Sequence, residues 1–145
     1  MQIQVISPTK ATTRKKLRVC AYVRVSTDSM EQEDSLENQK TYYNSYISKN
    51  PQWKMVGIYA DRGISGFKEN RPQFLKMIDD ARAGKIDLIV VKSVSRFARN
   101  TETVLKFSRE LKSIGVGIFF ELQNINTLSG SGELMLTILA SFAQA

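Results

Sequence analysis

The chain has 145 residues, enough for a single domain that buries roughly two thirds of its unfolded surface. It contains no histidine and one cysteine, Cys20, which excludes Ser-His-Asp and Cys-His catalysis and an internal disulfide, and we expect no metal site. The formal net charge of +7 indicates an acidic partner such as nucleic acid. No apolar run approaches the roughly 18–20 residues of a membrane span, and the polar start lacks the apolar core of a signal peptide, so we expect a cytoplasmic protein without a membrane partner.

The start of the chain differs in composition from the rest. Residues 1–16 show no sustained periodicity and carry four basic side chains, so we expect a mobile basic arm. The remainder, 17–145, is expected to form one domain.

Four apolar segments of strand type alternate with helical patterns along this domain. The strands are predicted at 17–25, 54–60, 86–92 and 116–122, and the helices at 33–48, 71–83, 100–114 and 132–145. Pro72 fits a helix start, and Gly84 and Gly115 fit helix ends. The alternation predicts an α/β fold with a mostly parallel sheet of four to five strands and helices on both faces. Ligands of such sheets bind beyond the carboxyl ends of the strands.

The first strand ends in a pattern that suits phosphate chemistry. Side chains alternate along a strand, so Arg24 and Ser26 are predicted on one face, about 6–7 Å apart. A guanidinium beside a hydroxyl favours an anionic ligand and the alkoxide form of the serine. Arg96 and Arg99 are spaced i, i+3, so one helical turn is predicted to direct both toward the same point. The structural alternative for Ser26 is a turn or cap residue after the strand.

Three segments resemble the motifs of the serine recombinases, the resolvase and invertase family, and they occur in the family's order. They are Tyr22-Val-Arg-Val-Ser-Thr27, Ser93-Val-Ser-Arg-Phe-Ala-Arg-Asn100 and Gly130-Ser-Gly-Glu-Leu-Met135. The resemblance extends from about residue 17 to the last residue. It implies a resolvase-like catalytic domain that acts on double-stranded DNA. It also implies that no cofactor is needed, because a covalent intermediate conserves the phosphodiester bond for rejoining.

The resemblance also implies roles for single residues. The serine would attack a DNA phosphodiester and form a covalent phosphoserine intermediate, while the arginines would grip the scissile phosphate. An aspartate would hold the arginine network or help to move a proton. The positions that match the family's functional residues are Ser26, Arg24, Arg71, Arg96, Arg99, Asp61 and Gln39. Taken singly, Arg71 could be a surface charge at a helix start, Gln39 an exposed helical residue and Asp61 a loop cap.

Some features depart from the family pattern. Many members have an aspartate where this chain has Ser95, so a role of that carboxylate cannot be carried over. The family's Glu-Arg pair and its DNA-recognition region are expected beyond Ala145, which leaves the activity of this fragment in doubt. The element Glu69-Asn-Arg-Pro-Gln-Phe74 resembles the large resolvase–integrase–transposase group.

The last predicted helix carries more apolar surface than one core needs. At about 100° per residue, its apolar side chains cover an arc of about 240°, whereas a core needs a stripe of about 100°. Some of Leu136, Leu139, Ala140 and Ala143 are therefore expected to face another subunit. The resemblance implies dimers that pair into tetramers through this helix, which is long in the family and is cut short here.

Two other functions stay open at the level of the sequence. One is a non-catalytic DNA-binding or regulatory module of the same fold, for which Ser95 is the only hint. The other is a flavodoxin-like domain that binds a small phosphorylated ligand. Gly63, Gly66, Gly130 and Gly132 fit neither a P-loop nor a dinucleotide fingerprint, so they are interpreted as flexible turns and no nucleotide is expected.

Overall fold

The computed structural model describes residues 15–26, 35–63 and 71–144. Their strands are β1 (Leu17–Ser26), β2 (Trp53–Gly63), β3 (Leu88–Val91), β4 (Gly117–Phe120) and β5 (Ile125–Asn126). Their helices are α1 (Leu36–Ser48), α2 (Pro72–Arg82), α3 (Val94–Phe97), α4 (Thr101–Ser113) and α5 (Gly130–Gln144). The predicted α/β fold class is confirmed.

The strands form one sheet in the order β2-β1-β3-β4-β5. β1 pairs in parallel with β2 and β3, β3 pairs in parallel with β4, and the short β5 runs antiparallel to β4. Ser26 pairs with Gly63 and Tyr22 pairs with Val91, so the strands end on the same side of the sheet. We call the ends of β1 and β2, together with the residues that follow β3 and β4, the carboxyl edge.

Helices cover both faces of the sheet because β1 is apolar on both sides. Val19, Ala21 and Val23 face α1 and pack with Tyr43 and Ile47. The alternate β1 residues face the opposite core, whose helical members come from α2, α3, α4 and α5. β1, an interior strand of the sheet, is thus buried on both faces, as expected for a parallel sheet.

β2 contains a one-residue bulge. Met55 pairs with Val19 and Gly57 pairs with Cys20, which leaves Val56 as an extra residue in β2. The sequence predicted a plain strand at 54–60, whereas β2 begins one residue earlier and continues to residue 63.

Local side-chain chemistry sets the helix boundaries. Pro72 is the first residue of α2, as predicted. Gly84 and Gly115 follow helices with φ of 80° and 82°, a conformation that favours glycine, so both predicted helix ends are confirmed. α1 begins at residue 36 and not 33, because the Ser35 hydroxyl caps it by accepting from the Asn38 amide at 3.1 Å.

Two short elements and one helix start differ from the prediction. α3 and β5 have four and two residues, too few for a periodic pattern to be visible in the sequence. α5 begins at Gly130, where a flexible turn was predicted, because the Ser129 hydroxyl accepts from the Gly132 amide at 3.0 Å. A Cβ atom on Gly132 would overlap the backbone of Asn126 and Thr127, so this close approach requires glycine.

The placement of α5 corrects the predicted subunit face. Leu136 is fully buried in its own chain and Leu139 packs against the same core, so Leu136 is not available to a second subunit, while the expectation that some of the four residues face one stays a prediction. Among the side chains of α5 that the structure describes, the large apolar ones that are exposed are Leu134 and Ile138. The reason is physical: a wide apolar arc does not reveal which of its sides packs on α4. The side chains at 140 and 143 lie outside the described residues.

Residues 1–14, most of the predicted arm, also lie outside the described residues. Lys15 and Lys16, its last two residues, are exposed. No helix among the described segments is long and apolar enough to cross a membrane.

Candidate active site

The carboxyl edge brings together the ends of three parallel strands. Arg24 of β1 lies level with Asp61 of β2. β3 ends level with Tyr22, so Ser93, two residues after β3, follows at the same edge. Ser26 is the last residue of β1, and its side chain lies outside the described residues. The predicted proximity of the Arg24 guanidinium to the Ser26 hydroxyl therefore stays a prediction.

Asp61 is a buried helix cap supplied by a neighbouring strand. Its carboxylate accepts from the amides of Gln73 at 3.0 Å and Phe74 at 2.9 Å, and from the Tyr22 hydroxyl at 2.8 Å. Arg71 occupies the N-cap position of α2 without capping it through its side chain, so Asp61 satisfies these first amides instead. The alternative interpretation of Asp61 was a cap of the loop after its strand, whereas Asp61 lies inside β2 and caps a helix. Its role toward the arginines or in proton transfer stays a prediction.

Tyr22 is a member of this site that the sequence interpretation missed. Its phenol is almost completely buried between β1 and α2. Burial, followed by the hydrogen bond to Asp61, raises the pKa of Tyr22, and the nearby Arg71 opposes the rise. Tyr22 is therefore a neutral donor. It stands two residues before Arg24, so strand alternation already places it on the same face.

Arg71 is buried, so it is not the exposed charge at a helix start that the alternative interpretation describes. Its guanidinium lies 3.8 Å from the centre of the Phe74 ring and 6.0 Å from that of Tyr22. It also donates to the carbonyl oxygen of Phe97, the last residue of α3. Arg71 therefore ties the start of α2 to the segment that carries Arg96.

The segment after β3 forms a single short helix. The Ser93 hydroxyl caps α3 by accepting from the Arg96 amide at 3.3 Å, and it lies 3.1 Å from the Ser95 hydroxyl. Ala98 is extended, with φ −162° and ψ 147°, so the helix ends before Arg99. The expectation that one helical turn presents both arginines was therefore wrong. Arg96 is half-buried and Arg99 is exposed.

A cleft of about 250 Å³ opens beside this segment. Ser95, Arg99 and Gln123 contribute polar groups to its wall, and Val94 and Leu139 contribute apolar ones. The serine that replaces the family's aspartate thus lines the same cleft as one of the predicted phosphate ligands.

α1 reaches the carboxyl edge through Gln39. Its side-chain nitrogen donates to the carbonyl oxygen of Arg24 at 3.5 Å. Gln39 is half-buried, so it is not the fully exposed helical residue of the alternative interpretation. Gln39 therefore contacts the backbone of Arg24, which lies two residues before Ser26.

A carboxylate that the sequence interpretation missed lies at the end of β4. Glu121 accepts from the Tyr43 hydroxyl at 2.6 Å and from the Tyr42 hydroxyl at 2.5 Å. The pKa of Tyr42 is raised to about 12, first by the hydrogen bond to Glu121 and to a smaller extent by partial burial. The sequence interpretation placed Glu121 inside the strand predicted at 116–122, whereas β4 ends at Phe120 and Glu121 follows it at the carboxyl edge.

The acidic residues at this edge are thus occupied by hydrogen bonds within the fold. Across residues 15–26, 35–63 and 71–144, no group of three or more cysteine or acidic side chains is arranged to hold a metal ion. Cys20 is buried and burial raises the pKa of its thiol, so it packs as a neutral side chain.

Comparison with known proteins gives consistent matches over most of the chain. Residues 19–145 match the family described as "Resolvase, N terminal domain". The transposon Tn21 resolvase of Escherichia coli is 32% identical over 107 residues, which cover 69% of this chain and 56% of that protein. A resolvase/recombinase of Pseudomonas putida is 27% identical over 129 residues, which cover 89% of this chain and 65% of that protein. The chain thus spans less than two thirds of the length of these two relatives.

Solved structures show the same architecture. The N-terminal catalytic domain of TP901-1 integrase superposes with a TM-score of 0.75 and 26% identity, covering 88% of this chain and 94% of that one. A resolvase family site-specific recombinase from Streptococcus pneumoniae superposes with a TM-score of 0.73 and 33% identity, covering 89% of this chain and 87% of that one.

Proposed function

Because this chain belongs to the resolvase family of serine recombinases, we propose that it is the catalytic domain of a site-specific DNA recombinase. One observation carries the proposal. Arg24 lies level with Asp61 near the end of β1, which is Ser26, and Arg71 ties the start of α2 to the segment after β3 that carries Arg96 and Arg99. Ligands of parallel sheets bind at this edge, and no histidine-dependent chemistry competes for it.

The proposed reaction is a transesterification at a DNA phosphodiester. The Ser26 hydroxyl oxygen attacks phosphorus, its proton passes to a base or to solvent, and an Oγ–P bond forms. The bond from phosphorus to one deoxyribose oxygen breaks, and that oxygen takes up a proton and leaves as a free hydroxyl. Rejoining reverses these steps with a new hydroxyl end, so no nucleotide is consumed.

The arginines would stabilise the charge that builds up on the phosphate. At 4 Å and an effective dielectric of about 20, each guanidinium contributes a Coulomb energy of about 4 kcal/mol before desolvation. Arg96 and Arg99 are the more accessible, whereas Arg71 is held between α2 and α3. We therefore assign direct phosphate contact to Arg24, Arg96 and Arg99, and to Arg71 a role that includes fixing α3.

Double-stranded DNA is the proposed partner, bound by this domain mainly through its phosphates. The net charge of +7 supports this assignment. Phosphate contacts position a protein but do not read sequence, so the affinity of the domain is expected to fall steeply with salt and to depend little on sequence.

The test is the trapping of a covalent adduct by the full-length protein that carries this domain. The unaltered protein should form a protein–DNA complex that survives denaturation and is destroyed by protease. Ser26→Ala should bind DNA without forming it, and Ser113→Ala, at an exposed serine of α4, serves as the matched control. Adduct formation by Ser26→Ala would overturn the assignment.

The same assay separates the two alternative functions. DNA binding without any adduct from the unaltered protein would favour the non-catalytic module. Loss of DNA binding together with a co-purified small phosphorylated ligand would favour the flavodoxin-like domain.

Self-association is proposed to use the outer side of α5. Leu134 and Ile138 are one turn apart and 61% and 47% exposed. Two large apolar side chains exposed side by side on one helix are suited to contact a second copy. We propose this face in place of Leu136 as the contact between subunits.

A further inference from the structure

We propose that Glu121 and Tyr43 form a positioning pair that holds α1, and with it Gln39, against the carboxyl edge. The proposal rests on the recombinase function proposed above and adds to it two residues that do not touch the DNA. Their role is to fix the backbone at Arg24, close to the end of β1.

Glu121 is attached firmly to the centre of the sheet. Its amide donates to the carbonyl oxygen of Val91 at 3.0 Å, and the next amide, of Leu122, donates to the carbonyl oxygen of Lys92 at 2.9 Å. The end of β4 therefore follows the end of β3, and Glu121 starts from a fixed backbone position.

Both oxygens of this carboxylate are occupied by α1. Tyr43, only 2% exposed, donates to one oxygen at 2.6 Å, and Tyr42, 45% exposed, donates to the other at 2.5 Å. The two rings are packed edge to face, with centroids 4.9 Å apart. Tyr43 thus makes the buried connection, whereas Tyr42 makes an accessible one.

Gln39 lies one helical turn before Tyr43, so the two side chains share a face of α1. That face meets Glu121 at one end and the carbonyl oxygen of Arg24 at the other. Burial and the hydrogen bond to Glu121 raise the pKa of Tyr43, and the positive charge of Arg96 opposes this rise. The pair therefore links the end of β4, through α1, to the backbone of β1, which ends in the proposed nucleophile.

The test uses Tyr43→Phe and Glu121→Gln in the full-length protein, each of which keeps the size of the side chain. The matched control is Tyr59→Phe, because the Tyr59 hydroxyl donates to the Asp80 carboxylate at 2.6 Å near the other end of α2. Tyr43→Phe and Tyr59→Phe each remove one tyrosine–carboxylate bond, and Glu121→Gln weakens two, but Tyr59→Phe acts away from the carboxyl edge. Single-turnover rates of adduct formation are measured over a range of protein concentrations, together with thermal unfolding.

We expect Tyr43→Phe and Glu121→Gln to lower the maximal rate of adduct formation by about 10- to 100-fold, as a misplaced reacting group does. The protein concentration that gives half of this rate should stay the same. Tyr59→Phe should lose a similar amount of thermal stability and keep the rate. If the two edge variants react as fast as Tyr59→Phe, the positioning role is refuted.

Gln39→Ala tests the route of the effect. If the pair acts by placing Gln39, then Tyr43→Phe combined with Gln39→Ala should react no more slowly than Gln39→Ala alone. If the rate loss of the double variant instead equals the product of the losses of the two single variants, this route is refuted. A failure of the proposed function is distinguishable, because then the unaltered protein itself would form no adduct.

Discussion

Replacing Asp61 with alanine should destabilise the domain by about 3 kcal/mol, because three donors depend on this one buried carboxylate. Loss of a helix cap typically costs about 1 kcal/mol. Removing a negative charge from the start of a helix costs a further ~0.3–1 kcal/mol. The buried Tyr22 hydroxyl, left without its acceptor, adds about 1–3 kcal/mol.

The assay is urea unfolding followed by the fluorescence of Trp53, the only tryptophan in the chain. With a slope of about 2 kcal/mol per molar urea, the unfolding midpoint of Asp61→Ala should fall by about 1.5 M. Asp61→Asn keeps one acceptor oxygen but loses the charge, so its midpoint should fall by roughly half as much. Asp79→Ala is the control, because that aspartate is exposed and pairs with Arg82 of its own helix.

The control should change the free energy of unfolding by less than about 0.5 kcal/mol. If Asp61→Ala unfolds at the midpoint of the unaltered domain, the cap is not a stabilising contact. Asp61 would then be free for the role in proton transfer that the family resemblance implies.

Arg96→Lys and Arg99→Lys should each slow adduct formation by about 10²-fold, because lysine lacks the planar fork, with little change in thermal stability; normal cleavage by both would refute bidentate phosphate binding. Ile138→Glu should lower the self-association measured by sedimentation while the fold is kept, whereas Leu136→Asp should unfold the domain; the reverse result would place Leu136 at the interface. Asp87→Asn removes the ion pair with Arg18 of β1, whose guanidinium lowers the pKa of the Asp87 carboxyl. A carboxyl whose pKa is lowered in the fold stabilises the fold above about pH 4, and this stabilisation is lost as the pH falls through the lowered pKa. The melting temperature of Asp87→Asn should therefore depend less on pH below about 4 than that of the unaltered domain. An unchanged pH dependence would contradict this.

The features that the sequence predicted well are those that depend on neighbouring residues. The apolar alternation located four strands, and the start at Pro72 and the ends at Gly84 and Gly115 were predicted from local backbone preferences. Because parallel strands end at one edge, the predicted parallel sheet also indicates that Ser26, Asp61 and the segment after β3 lie at the same edge.

What the sequence could not predict depends on contacts across the fold. Arg71 is buried because Phe74, Phe97 and Tyr22 surround it, and no local pattern shows that three elements meet there. Likewise, the three-residue spacing of two arginines suggested a helical turn, but Ala98 is extended and ends α3 between them.

The extra residue Val56 decides which way the rest of β2 faces. Before it, Trp53 and Met55 point toward α1; after it, Ile58 and Ala60 do, so the alternation changes from odd to even positions. Asp61 consequently lies on the side of α2. In a regular strand of the same sequence it would turn toward α1, and the first amides of α2 would lose their acceptor. The count of residues along β2, more than the identity of residue 56, therefore links this outer strand to the active edge. Deletion of Val56 itself would remove only the extra residue and leave the facing of Asp61 unchanged, whereas deletion of one residue between Gly57 and Asp61 would turn Asp61 toward α1.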